Sequence, residues 1–88
     1  MIKKTITIKN KLGLHARPCS LIVKATSNFR SEIKFQKEDI LVNGKSIMGV
    51  MMLAAEFGSE LEIIVDGVDE EAALETIENL FESKFNED

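Results

Sequence analysis

The chain has no tryptophan and no tyrosine, and only one cysteine, one proline and one histidine among its 88 residues. A single cysteine cannot form an internal disulfide, so packing alone must hold the fold, and such usage suits a reducing compartment. Cys19 and His15 with scattered carboxylates make a poor ligand set, so no metal is expected, and no other cofactor. No apolar run approaches the roughly 20 residues that span a bilayer. The N-terminal MIKKTITIKNK alternates apolar and polar residues, unlike the continuous apolar core of a signal peptide. A cytoplasmic protein without membrane insertion is expected. A chain this short builds one core, and no repeat, low-complexity tract or linker divides it, so residues 1–88 are read as a single domain.

What is present is charge, unevenly placed. Residues 1–48 carry ten Lys or Arg against three carboxylates, whereas residues 49–88 carry twelve carboxylates against Lys84 alone. The net charge is −4. This split predicts a basic face and an acidic face on one small body. A negative total and the lack of any RNA-reading motif argue against nucleic acid, leaving an acidic protein as the expected partner of the basic half.

The apolar pattern switches period along the chain. KKTITIK, residues 3–9, alternates with Ile6 and Ile8 on one face and reads as a half-buried strand. Asn10 and Gly13 then break it. From Ala16 the spacing becomes helical: Pro18, Ile22, Ala25 and Phe29 make one apolar stripe with Cys19 beside it, and Arg17, Ser20, Lys24 and Ser27 make a polar one. A helix over 16–27 follows, with Pro18 tolerated because first-turn amides have no intrahelical acceptor to lose. Residues 31–36 alternate again, KED turns, and 40–42 return as a hairpin strand. Ser46 stands before the apolar IMGVMMLAA, a short helix weakened by Gly49 and ended by Gly58. Residues 60–67 form a strand. Asp69, Glu70 and Glu71 open a last helix, where acidic side chains suit the positive end of the dipole. Its buried stripe is Ala73, Leu74, Ile77, Leu80, Phe81 and Phe85. The order βαββαβα, with one stripe per helix, predicts an antiparallel α+β two-layer domain whose second sheet face meets solvent.

This reading puts His15 at the start of the first helix. Unpaired amides there carry a partial positive charge and attract anions, phosphate above all. Arg17 is close enough to add charge-assisted donors to the same anion. An imidazole, with an ordinary pKa near ~6.5, offers a free ring nitrogen at neutral pH. The residues alone leave His15 open between a phosphoryl-accepting site and a solvent-exposed loop histidine. A Cys–His nucleophilic pair is disfavoured, because Cys19 lies beside the buried stripe and cysteine is often a small core residue. GKS at 44–46 is not a P-loop, which requires glycine where Asp39 stands. Ser46 reads as a helix N-cap. Ile47, Met48, Met51 and Met52 exceed what one buried helix face requires, and methionine-rich surfaces suit adaptable docking; Val50 and Leu53 are read as core.

Two motifs, GLHARP at 13–18 and KSIMGVM at 45–51, closely resemble those of the HPr family, the histidine-containing phosphocarriers of the bacterial phosphotransferase system. The resemblance covers essentially the whole chain. It implies an open-faced β-sandwich, a four-stranded antiparallel sheet with three helices on one face. It further implies a carrier, not a turnover enzyme. His15 would take a phosphoryl group on Nδ1 from enzyme I, charged by phosphoenolpyruvate, and pass it to an enzyme IIA domain. Arg17 corresponds to the assisting arginine. Ser46 corresponds to the serine modified by the ATP-dependent HPr kinase/phosphorylase. Ile47, Met48 and Met51 correspond to the family's docking positions, and Ser20 and Lys24, on the polar stripe with Arg17, would supply the neighbouring polar part of the surface of a monomeric carrier. Position 19, usually alanine in the family, is Cys19 here, a change expected to preserve function and to add sensitivity to thiol oxidation. NKLGLHARP and the ending LFESKF with NED also resemble NPr, the nitrogen-branch paralogue, so the sugar and nitrogen branches and a purely regulatory paralogue stay open. A small-ligand-binding regulatory domain of ferredoxin-like type is the alternative from another class, although it leaves His15 unexplained.

Overall fold

The computed structural model describes residues 1–87. The elements follow the expected order: β1 (Ile2–Thr7), α1 (Ala16–Thr26), β2 (Glu32–Lys37), β3 (Ile40–Asn43), α2 (Ile47–Met52), β4 (Glu60–Asp66) and α3 (Glu70–Glu82). A short 3₁₀ turn, Lys84–Asn86, follows α3. The strands form one antiparallel sheet in the order β1-β4-β2-β3.

Register explains the two faces. Ile2 and Ile6 lie opposite Val65 and Leu61, while Ile33 and Phe35 lie opposite Val65 and Ile63. Because opposed residues share a face, this side of the sheet is apolar and turns toward the helices. The other side carries Thr5 and Gln36 against Glu62, and Thr7 against Glu60. Solvent can therefore cover it without cost. Lys4 falls on the apolar side, opposite Ile63, but its ammonium reaches out to pair with Glu78 of α3. Lys9 likewise pairs with Glu82 at 2.6 Å. The charge asymmetry along the chain thus does not become two separate faces, because β1 and the segment after it lie beside α3 and neutralise part of its acidity.

The helices differ from expectation in three places. α1 buries Pro18, Cys19, Ile22 and Thr26, so its stripe is rotated away from Ala25 and Phe29, which are half-buried. Thr26 is tolerated inside because its Oγ1 donates to the Gly44 carbonyl at 2.8 Å, tying α1 to the turn before α2. α2 ends at Met52, with Ala54 in the left-handed region (φ 49°), well before Gly58. Gly58 (φ 86°) instead turns the chain toward β4, and its amide donates to the Ile8 carbonyl at 2.9 Å. Phe85 is not on the α3 stripe. It is fully buried from the left-handed turn beyond the helix, where Lys84, Phe85 and Asn86 have φ of 54°, 55° and 58°. Each such residue costs about 1–2 kcal/mol. Burying Phe85 offsets about 1.5–3 kcal/mol, helped by its edge-to-face contact with Phe81 at 5.0 Å between centroids. Phe81 in turn lies 6.3 Å from Phe35 of the sheet, so aromatic packing runs from β2 to the C-terminal turn.

Asp69 sits at the N-cap of α3 without capping it. Its carboxylate instead accepts from the Arg30 amide (2.8 Å), the Ser31 amide (2.9 Å) and the Ser31 hydroxyl (2.5 Å), joining the start of α3 to the loop before β2. The Ser31 hydroxyl, then the Arg30 amide, hold this carboxyl at about 2 against an ordinary 3.8. A depressed folded-state value stabilises the fold above the unfolded value, and that contribution is lost as pH falls through the folded one. Stability should therefore decline between about pH 4 and pH 2. Asp69→Asn should flatten this part of the profile of urea midpoint against pH. An unchanged slope in the variant would assign the acid sensitivity to other carboxylates.

Candidate functional site

The histidine loop is built around one glycine. Gly13 has φ of 67°, and a Cβ placed there would come within 2.5 Å of the Ala55 carbonyl oxygen. No other residue suits both constraints. The Gly13 carbonyl accepts from the His15 amide at 3.0 Å and from Asn10 Nδ2 at 2.7 Å. Leu14 donates its amide to the Ala55 carbonyl at 2.9 Å and buries its side chain. The segment after α2 is thereby fixed against the loop, and His15 is held at the start of α1.

His15 is the N-cap of α1, with extended backbone (φ −84°, ψ −173°) and no side-chain capping bond. Its side chain is 36% exposed. The helix is anchored from below by Pro18 and Cys19, while Arg17, Ser20 and Lys24 face solvent. The first-turn amides of Ala16 and Arg17 have no intrahelical acceptor, and Pro18 contributes none, so this end offers an anion-accepting surface beside the imidazole.

Two residues that sequence reasoning did not select complete the site. Glu87 places Oε2 2.8 Å from His15 Nε2 and 3.4 Å from Arg17 Nη1. Its Oε1 accepts from Asn10 Nδ2 at 3.1 Å. Arg17 Nη1 also donates to the Phe85 carbonyl at 2.8 Å. Burial raises the Glu87 carboxyl, but hydrogen bonds from Asn10 and His15, the charge of His15 and the Arg17 bond outweigh it and leave the group below its ordinary value. Asn10 is fully buried, and its Oδ1 has no hydrogen-bond partner among the described residues. No local signal marks Glu87, since it lies 72 positions from His15 and is joined to it only by the fold.

Cys19 does not pair with His15. It is fully buried and its Sγ donates to the Leu14 carbonyl at 3.4 Å. Burial pushes the thiol up to about 11. The thiolate that oxidation requires is therefore scarce near neutral pH, and the expected redox sensitivity is corrected to an inert core residue.

Ser46 caps α2: its Oγ accepts from the Gly49 amide at 3.1 Å. Of the apolar side chains on that helix only Val50 is buried, followed by Leu53 at its end. Ile47, Met48, Met51 and Met52 are exposed, Met48 by 75%. Exposed Leu12 and Phe57, which the sequence reading passed over, add to the apolar surface of the two loops joined at Leu14 and Ala55.

Residues 2–83 match the family model described as the PTS HPr component phosphorylation site. The chain belongs to the HPr family of phosphocarriers of the phosphotransferase system. It is 54% identical to the phosphocarrier protein HPr of Treponema pallidum over the whole of both chains. A crystal structure of HPr from Thermoanaerobacter tengcongensis superposes with a TM-score of 0.96 at 46% identity, covering 100% of this chain and 99% of that one. A second structure from that organism, an HPr dimer, superposes at 0.80 with 47% identity, covering 99% of this chain and 100% of that one. The four-stranded sheet and three helices are those of the family, as the resemblance implied. The family match sets aside the ferredoxin-like ligand-binding alternative. Among the described residues no cluster of three metal-ligating side chains occurs and no helix is long and apolar enough to cross a membrane.

Gly13→Ala tests how firmly the loop is specified. The left-handed backbone and the clash with the Ala55 carbonyl should together cost about 2–4 kcal/mol in urea unfolding. The His15 backbone resonances should shift with it. A loss below about 1 kcal/mol would show that the loop relaxes freely around a side chain.

Proposed function

We propose that residues 1–88 act as a single monomeric HPr domain that carries a phosphoryl group on His15. The observation that carries this reading is the position of His15, half-exposed at the N-cap of α1 inside the family-matched segment, with its ring hydrogen-bonded through Nε2. Nδ1 is then the nitrogen left to meet phosphorus. Phospho-enzyme I, charged by phosphoenolpyruvate, is the donor and an enzyme IIA domain the acceptor, in the cytoplasm. The Nδ1–P bond forms as the bond from phosphorus to enzyme I breaks, and it breaks in turn as the bond from phosphorus to the IIA acceptor forms. Unpaired amides of α1 and the Arg17 guanidinium stabilise the phosphoryl oxygens.

The docking surface is the exposed face of α2, Ile47, Met48 and Met51, bordered by Ser20 and Lys24 of α1. An apolar centre with a basic border suits acidic clefts on partners and speeds their encounter. Whether sugar-type or nitrogen-type IIA domains discharge the protein faster identifies its branch.

Incubation of the wild type with phosphoenolpyruvate and enzyme I should add one phosphate mass, labile in acid. His15→Ala should add none while its circular dichroism and unfolding midpoint stay close to wild type. A phosphohistidine in the variant is impossible, so any acid-labile phosphate there would refute the assignment.

Ser46 is proposed as the regulatory site of an HPr kinase/phosphorylase. Phosphorylation adds about −1.5 to −2 charges beside Ile47 and Met48, where an acidic partner docks. Phosphate oxygens can replace the hydroxyl as acceptors at the start of α2, so the fold should persist. Acceptance of phosphate from enzyme I should slow, and added salt should restore part of the rate, because exposed charges are screened over about 8–10 Å. Ser46→Asp should act in the same direction with smaller effect. Equal low-salt rates for phosphorylated and unmodified protein would leave Ser46 a helix cap alone.

A further inference from the structure

The left-handed turn after α3 places a carboxylate against the carrier histidine. Phe85 is locked into the core beneath Phe81, and two residues later the Glu87 side chain, only 13% exposed, meets Nε2 of His15 at 2.8 Å. Asn10 Nδ2 holds its other oxygen at 3.1 Å, and Arg17 fixes the segment through the Phe85 carbonyl at 2.8 Å. The carboxylate is thus gripped from the histidine loop, through His15 and Asn10, and from α1, through Arg17. Among the described residues both Arg17 bonds use Nη1, which leaves Nε and Nη2 as donors for phosphoryl oxygens.

We propose that Glu87 is a positioning residue for phosphoryl transfer, accepting the Nε2–H of His15 so that the lone pair stands on Nδ1. This rests on the reading of His15 as the carrier. A neutral imidazole holds its proton on one nitrogen or the other, and an acceptor beside one of them selects the tautomer. When Nδ1 attacks, its lone pair becomes the new N–P bond. The electron pair of the broken bond returns to the atom of enzyme I that carried the phosphorus. The proton on Nε2 stays in place, so the product ring is an imidazolium facing Glu87. The carboxylate therefore meets more positive charge after attack than before it and stabilises that state, as a carboxylate does behind the histidine of a catalytic triad. On discharge the pair returns to Nδ1 and the neutral tautomer is restored.

Full-length wild type, Glu87→Gln and Glu87→Ala distinguish this role from a latch for the C-terminus. Ring ¹⁵N shifts of His15, read at a pH where the imidazole is neutral, report the tautomer without any phosphotransfer. Wild type and Glu87→Gln, whose amide oxygen still accepts, should hold the proton on Nε2. Glu87→Ala should move toward the mixture of free imidazole. In stopped-flow acceptance from phospho-enzyme I, Glu87→Gln should be slower by about tenfold, because a charged acceptor is lost while the contact remains. Glu87→Ala should be slower still. Variants that match wild type in both measurements, or that accept phosphate faster because the carboxylate competes with it, would overturn the role of Glu87. A wild type that accepts nothing would end the carrier reading itself, and this one with it.

Discussion

The sheet has a single apolar face, and the rest of the architecture answers to it. Ile33, Phe35, Leu61, Ile63 and Val65 project to one side and leave water only beneath helices. With the opposite face polar and solvated, all three helices must gather on one side. They fill one layer of a thin body measuring 33 × 27 × 21 Å, in which the start of α1 meets the turn that follows α3. A molecule of this shape has no interior to spare for a deep pocket. Its chemistry belongs at a helix start on the surface, which is where the single imidazole stands.

Rigidity at that surface is supplied from three parts of the chain. Gly13 lets the histidine loop press against the Ala55 carbonyl. Pro18 and Cys19 seat the first turn of α1 in the core. The aromatic series Phe35, Phe81 and Phe85 carries the packing to a strained turn whose far side delivers Glu87. Strain in consecutive left-handed residues persists only where surrounding contacts over-determine it, and here those contacts end on the site. One buried phenyl ring thus joins the core packing to the turn that sets Glu87 beside His15.

Charge is arranged by the same packing. Lys4 and Lys9 are spent against α3, while Arg17 is held at the site and Lys24 stays exposed on α1. The basic character that remains around the histidine is therefore local, and the acidic half of the chain lies largely on α3 and β4. An apolar patch on α2, uncovered because Gly49 and a length of six residues leave it only Val50 to bury, adjoins this region.

Local pattern alone determined the element order, the two sheet faces, the capping role of Ser46, the core positions Val50 and Leu53, and the place of His15 at a helix start. Each of these follows from period, turn chemistry or capping within a few residues, which is the range over which backbone physics acts directly. The quoted motifs then identified the family. Tertiary structure decided what depends on residues far apart in sequence. It rotated the α1 stripe toward Thr26 because Gly44 supplies a buried acceptor, and it ended α2 at Met52 through a left-handed Ala54. It gave Asp69 to the Ser31 loop instead of its own helix, and it silenced Cys19 by burial. It also brought Glu87 to His15, 72 positions away, and to Asn10, 77 positions away. Such contacts arise only when the sheet closes and Phe85 enters the core, and no periodicity in a single chain encodes which carboxylate will then stand beside which ring.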